Sequence, residues 1–96
     1  MFYVKNEADA LQVKQMAQQL IEKSRLEEGN LSYDLFQGST PICLLFCETW
    51  RDDDVFKAHL ATPHYRSIMP RIQQISHSCR GKGNHWAYPI EISLRG

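Results

Sequence analysis

The sequence predicts an α+β fold of the ferredoxin-like type, an antiparallel sheet in the order βαββαβ with both helices on one face. Two observations lead to this class. Segments with strand-like alternation and segments with helical spacing follow one another in that order, and the central segment 42–50 is apolar on both sides. The 96 residues are the length of one domain, so we expect a single domain over residues 1–96.

A short strand and a long helix open the chain. FYVK at 2–5 has the composition of a strand, and Asp9 with Gln12 three residues later has the capping-box spacing of a helix start. Gly29-Asn30 tolerates positive φ and predicts the end of this helix. The helix face that we expect to be buried carries Val13, Met16, Ala17, Leu20, Ile21 and Ser24.

Two paired strands follow. The segment 31–37 alternates, which places Leu31, Tyr33 and Leu35 on one face, and the turn 38–41 (GSTP) predicts antiparallel pairing with 42–50. Both faces of the strand 42–50 are apolar and should be covered, yet the helices of so small a domain cover only one of them. We therefore expect a homodimer in which a second copy of the sheet covers the other face.

The second helical region begins at the acidic run 52–54. Asp52 or Asp53 is predicted to cap the helix, and a solvated helix start explains these aspartates better than a metal site. Thr62-Pro63 predicts a helix restart, because proline suits the first helical position. Pro70 lies inside this second segment and is predicted to kink or split it.

The C-terminal segment, 77–96, is predicted to be a loop and a last strand. The loop contains RGKGN (80–84), and the strand lies within HWAYPIEISL (85–94), where Pro89 indicates an edge position. His77, Cys79 and His85 could be imagined as metal ligands, but a polar loop explains them better. We predict no metal site, since neither a CxxC nor an HExxH pattern occurs.

Charge and cysteine content exclude several classes of protein. Eleven basic residues balance eleven acidic ones, so no net field attracts nucleic acid or an anionic membrane. No apolar run approaches the roughly 18 residues of a membrane span. The three cysteines are an odd number and the N-terminus lacks a secretory pattern. We expect free thiols in a cytoplasmic protein.

Three segments resemble the antibiotic biosynthesis monooxygenase family. They are EEGNLSYDLFQ (27–37), ETW (48–50) and AHLATPHYRSIMPRI (58–72). Family members commonly show E-P/E-G-C/N-x-x-Y-x-L, then E-x-W, then H-x-x-T/S-P-H-F/Y. The likeness extends from about residue 3 to residue 76.

The resemblance implies a dimeric α/β barrel, in which two ferredoxin-like sheets pack face to face, and a pocket between the sheet and the helices. One departure from the family pattern is expected: the first strand is shortened here, whereas family members usually have about one strand of sequence before the segment that matches FYVK. Many members oxidise an electron-rich phenol or quinol with dioxygen and use neither flavin nor metal. The expected function is therefore a cofactor-independent monooxygenase acting on a small aromatic or quinol substrate. The alternatives are a small-molecule binding or isomerising domain without oxygen chemistry, and an interaction module.

His59 and Trp50 are the candidate catalytic residues. Trp50 matches the tryptophan of E-x-W, and His59 lies on the apolar side of its helix, where an imidazole that titrates near neutral pH could act as a base. A core histidine and a core or interface tryptophan would show the same pattern. We expect His59 and Trp50 to line one cavity if they are catalytic. The candidate substrate contacts are Phe46, Phe56, His64 and Tyr33.

Overall fold

The structure is a computed structural model and describes residues 2–78 and 90–94. Its elements in chain order are β1 (Phe2–Tyr3), α1 (Glu7–Arg25), β2 (Asn30–Gln37), β3 (Cys43–Trp50), α2 (Asp53–Leu60), α3 (Pro63–Gln74), β4 (His77–Ser78) and β5 (Ile90–Leu94). Residue 1, the loop 80–84 and the predicted strand residues 85–89 lie outside the described part, as do Cys79 and His85.

The sheet has the strand order β2-β3-β1-β4, with all of these neighbours antiparallel. This is the ferredoxin-like arrangement, so the predicted α+β fold class is confirmed. The predicted last strand within 85–94 is present at Ile90–Leu94, which is β5, but the strand beside β1 is the short β4, contrary to the predicted order. The strand β5 instead pairs parallel with β3, from Phe46↔Ile90 to Trp50↔Leu94.

The helix α1 begins three residues earlier than predicted. Asn6 is the N-cap in place of Asp9: its Oδ1 accepts a hydrogen bond from the Asp9 backbone N–H at 2.8 Å. Asp9 lies in the first turn, where a carboxylate favours the positive end of the helix dipole. The predicted buried face is confirmed, since Val13, Ala17, Leu20 and Ser24 are buried and Met16 and Ile21 pack partly buried against the core.

The two central strands pair antiparallel as predicted, with one irregularity. The register shifts between Asn30 and Ser32, so that Leu31 has no partner in β3 and is 52% exposed, contrary to the predicted alternation. On β3 the alternate residues all point into the core. They are Leu44, Phe46, Glu48 and Trp50, and only Glu48 among them is charged.

The second helical region consists of two helices. Asp52 caps α2 and accepts a hydrogen bond from the backbone N–H of Val55 at 3.0 Å. Thr62 caps α3, and Pro63 occupies its first turn, as predicted. Pro70 does not split α3, because the helix continues to Gln74 with Ile68, Met69 and Ile72 buried on either side of the proline. No helix in residues 2–78 is long and apolar enough to cross a membrane.

The position of the first helix cap can be tested by substitution. Asn6→Ala should lower the free energy of unfolding by about 1 kcal/mol, because it removes the acceptor for an N–H at the helix start. Asp9→Ala keeps that acceptor and should cost at most about half as much, through the lost dipole interaction. Urea denaturation measures both values. A larger loss for Asp9→Ala than for Asn6→Ala would contradict the assigned cap.

Candidate functional site

A group of polar side chains lies in the core where the turn after α1 meets β2, β3 and the two short helices. We call it the polar cluster. Its members come from five segments: the turn 26–29, β2, β3, α2 and the first turn of α3. It consists of Glu27, Tyr33, Glu48, Trp50, His59 and His64.

His59 is the centre of the polar cluster and is 0% exposed. Its Nδ1 lies 2.6 Å from Oε2 of Glu27, and its Nε2 lies 3.4 Å from the hydroxyl of Tyr33. The same Nε2 is 3.9 Å from Oε1 of Glu48. A histidine with polar partners on both ring nitrogens is fixed in orientation, so the ring cannot flip without breaking contacts.

Aromatic rings enclose His59. The centroid of the Trp50 ring lies 4.7 Å from that of the imidazole, and the rings of Tyr65 and Tyr33 lie at 5.0 and 5.3 Å. Phe56 completes the wall at 6.4 Å. These rings exclude water, and burial accordingly lowers the pKa of His59, against the opposing effect of Glu27.

The protonation of the cluster follows from its partners. An ionised carboxylate only accepts, so a neutral His59 carries its proton on Nδ1 towards Glu27 and has a lone pair on Nε2. Burial raises the pKa of Tyr33, and the negative charge of Glu48 raises it further. Tyr33 therefore remains a neutral phenol that can donate to the Nε2 of His59.

Glu27 connects the buried histidine to the surface. Its Oε2 lies 2.7 Å from Nε2 of His64 as well as 2.6 Å from His59, and the side chains of Glu27 and His64 are 14% and 13% exposed. Gly29, at φ 85°, holds the turn against α2. A Cβ added at Gly29 would approach the side chain of Val55 to 2.6 Å. Only glycine fits this turn, which places Glu27 over His59.

Glu48 is a buried acid in the middle of β3. Its Oε1 accepts a hydrogen bond from Nε1 of Trp50 at 2.9 Å. Its Oε2 has no hydrogen-bond partner among the described residues, and neither does the buried Oγ of Ser24. Burial raises the pKa of Glu48 to about 7, although the hydrogen bond from Trp50 acts in the opposite direction.

The structure brings most of the sequence-predicted site residues together. Trp50, Phe56, His64 and Tyr33 all have rings within 6.4 Å of the His59 ring, and Phe46 lies one step further out, 6.1 Å from Tyr33. Sequence reasoning did not identify Glu27 and Glu48. A signal was available, because each glutamate begins one of the segments that carry the family resemblance.

His59 and Trp50 lie on the same side of the sheet in mutual contact, and both are fully buried. Two clefts lie elsewhere on the described surface. One of about 270 Å³ is bordered by α1 and α3 near Met16 and Arg71, and one of about 400 Å³ is bordered by α1 and β2 near Arg25 and Leu35. Neither of these clefts is lined by a member of the polar cluster. Because His59 is fully buried, a ligand would reach it only after one of the enclosing side chains moves.

The segments that supply the polar cluster also define the family. The sequence profile described as antibiotic biosynthesis monooxygenase matches residues 1–71, most of the chain. The chain belongs to this family. All six members of the polar cluster lie within the part that matches the antibiotic biosynthesis monooxygenase profile.

Individual relatives agree with this membership. The chain is 33% identical over 60 residues to the putative monooxygenase YcnE of Bacillus subtilis, a match that covers 62% of this chain and 63% of that protein, less than two thirds of its length. A crystal structure from Bacteroides thetaiotaomicron matches with a TM-score of 0.72 and 32% identity, over 79% of this chain and 82% of that chain. That protein is described as a conserved protein of unknown function and a possible oxidoreductase. A crystal structure of an antibiotic biosynthesis monooxygenase matches with a TM-score of 0.69 and 31% identity. The match covers 79% of this chain and 86% of that chain.

The buried acid predicts a dependence of stability on pH. The folded-state pKa of Glu48, about 7, exceeds its ordinary value of 4.5, so folding favours the protonated form. The contribution of Glu48 to the free energy of unfolding is complete below pH 4.5. As the pH rises to 7, this contribution is lost at up to about 1.4 kcal/mol per pH unit. Glu48→Gln cannot ionise and keeps an acceptor for Trp50, so it should gain stability relative to the parent across this window.

The measurement is urea denaturation at several pH values from 4 to 8 in the presence of a chelator, with the difference between variant and parent plotted against pH. The control is Glu22→Gln, which changes an exposed carboxyl of α1. A difference for Glu48→Gln that is as flat as that of the control would show that Glu48 ionises normally.

Proposed function

We propose that this protein is a cofactor-independent monooxygenase that oxidises a small aromatic or quinol substrate with dioxygen. Membership of the antibiotic biosynthesis monooxygenase family supports this, as does the likeness to a putative monooxygenase. The observation that carries the proposal is the position of His59, whose Nε2 faces Tyr33 inside an aromatic wall while its Nδ1 is held by Glu27 at 2.6 Å. This is the geometry of an oriented general base.

In the proposed reaction, Nε2 of His59 accepts the hydroxyl proton of the substrate, and Glu27 stabilises the imidazolium that forms. The resulting phenolate reduces dioxygen. The substrate supplies all four electrons, so a quinol ring C–H becomes C–OH at the level of a hydroxyquinone, and the second oxygen atom leaves as water. The aromatic wall keeps water from the ionised substrate.

The rings nearest solvent define the expected entry route. Phe56 and Tyr65 are only half-buried, whereas Trp50 and Tyr33 are fully buried. We propose that the substrate displaces Phe56 or Tyr65 and stacks against Trp50. In this scheme Phe46 shapes the far end of the wall, and His64 with Glu27 returns the proton to solvent at the partly exposed edge.

A second candidate function is an isomerase that uses no oxygen. One observation favours it: Oε1 of Glu48 and Nε2 of His59 lie 3.9 Å apart, both fully enclosed. A base and a second proton-carrying group side by side can remove a proton from one atom of a substrate and return it to another. Oxygen consumption separates this candidate from the first.

The decisive experiment measures oxygen uptake with a panel of hydroquinones, without flavin and with a chelator present. We expect uptake by the parent and a loss in kcat of roughly 100-fold or more for His59→Gln, because the base is removed. The matched control is His77→Gln, an exposed histidine of β4 outside the polar cluster, which should retain parental uptake. Circular dichroism verifies that both variants fold. No uptake by the parent across the panel would reject the proposed oxidation.

We also propose that the protein is a homodimer closed over the outer face of the sheet, as in a dimeric α/β barrel. Phe36 on β2 is 52% exposed and stands opposite Leu45 of β3, with the half-buried Cys47 nearby. An exposed aromatic beside a second apolar side chain on a sheet face favours a sheet-to-sheet contact.

Analytical ultracentrifugation at micromolar concentration should give about 22 kDa, twice the 11.2 kDa of one chain. Phe36→Asp should shift the protein to the monomer, because the interface would then bury an unpaired charge. Leu11→Asp is the matched control, since Leu11 is 57% exposed on α1, away from the sheet face. An 11 kDa parent would refute the dimer.

A further inference from the structure

The partly exposed corner of the polar cluster contains a set of donor atoms suited to a metal ion. Oε2 of Glu27, Nδ1 of His59 and Nε2 of His64 all lie within 4.8 Å of one another. We propose that these three residues bind a divalent transition-metal ion of the Zn²⁺ class. Two imidazole nitrogens and one carboxylate oxygen form a common protein ligand set for zinc.

Only small side-chain movements separate the present geometry from coordination. A tetrahedral ion holds ligand atoms at about 2.0–2.1 Å, which places neighbouring ligand atoms about 3.3 Å apart. The Glu27 oxygen now lies 2.6 and 2.7 Å from the two histidine nitrogens. Each of these two separations needs to open by roughly 0.6–0.7 Å, and the two histidine nitrogens, which lie within 4.8 Å of each other, need to reach about 3.3 Å as well. Rotation of the Glu27 carboxylate and of the partly exposed His64 ring supplies these changes.

An independent observation concerns the far side of His59. A histidine that ligates metal through one nitrogen usually donates its other N–H to a carboxylate or a similar acceptor. Here Nε2 of His59 lies 3.4 Å from the hydroxyl oxygen of Tyr33, which can accept this hydrogen bond. Oε1 of Glu48, which accepts from Trp50, is 3.9 Å from Nε2 and lies beyond hydrogen-bond distance. The acceptor that a metal-bound His59 requires is therefore already in place.

Access and coordination number also suit an exchangeable ion. Glu27 and His64 are 14% and 13% exposed, whereas His59 is fully buried, so an ion would enter from the side of the first two residues. Three protein ligands leave a fourth position for water at this solvent-facing side. The carboxylate of Glu27 offsets part of the charge of the ion.

Metal binding and the proposed base role of His59 exclude each other. An ion on Nδ1 requires the ring proton on Nε2, and an Nε2 that carries a proton cannot accept another from a substrate. The site therefore adds a metal-occupied state in which the proposed oxidation is inhibited. Because the binding test measures metal and not turnover, its result is independent of whether the oxidation exists.

The test is titration of chelator-treated, dialysed protein with Zn²⁺ by calorimetry, and with Co²⁺ by visible absorption, which reports tetrahedral coordination. We expect one ion per chain, and at least about 100-fold weaker binding for Glu27→Gln and for His64→Asn, because each loses a direct ligand. His77→Asn and Glu28→Gln are the matched controls and should bind as the parent does. Circular dichroism checks that each variant is folded.

Two results would overturn the metal site. One is the absence of saturable binding of either ion at concentrations up to about 100 μM, well above the range expected for a preformed three-ligand site. The other is stoichiometric binding that is unchanged in both Glu27→Gln and His64→Asn, which would place the ion on other donors such as the cysteines. If one variant fails to fold, the other decides.

Discussion

The hydrogen bond between Glu27 and His59 joins parts of the chain that are 32 residues apart. It fixes the turn 26–29 onto α2, and through the same oxygen it holds the first turn of α3 by His64. The positive φ of Gly29 permits the close approach of the turn 26–29 to α2. A buried imidazole and a carboxylate both lose hydration on folding, so each depends on the other for compensation. The orientation of the His59 ring and the position of His64 beside it follow from this contact.

Much of the fold could be predicted from periodicity. The buried face of α1, the antiparallel pair β2–β3 and the caps Asp52 and Thr62 follow from local pattern and capping chemistry. The errors have local causes that pattern does not encode. A register shift exposes Leu31, and Asn6 competes with Asp9 for one helix start. The strand β4 has only two residues, too few to show the alternation of a strand. The sequence therefore predicted the longer C-terminal segment as the last strand of the sheet.

The aromatic and histidine side chains of the site were predictable from the sequence, and its two carboxylates were not identified. Trp50 and His59 could be placed together because a strand face and a helix face point to one core. Periodicity does not indicate Glu27 and Glu48, because an acidic residue in a turn or a strand usually faces water, and only the family segments that they begin point to them. The proposed metal ligands come from positions 27, 59 and 64, so they form no compact motif. The prediction of no metal site rested on the absence of such motifs. Contacts between residues that are far apart in the sequence bring these three side chains together.

The pairing of β5 has a consequence for how β3 is protected. With only two residues, β1 covers Leu44 and Cys43 and leaves the rest of that strand edge open, and the backbone of β5 pairs with it from Phe46 to Trp50. An open edge on a strand with apolar residues on both faces is a template for recruiting a foreign strand into amyloid-like assemblies. The chain thus covers this edge of β3 with a strand from beyond residues 1–71, the part that matches the family, so that the protection of the edge and the polar cluster come from different parts of the sequence.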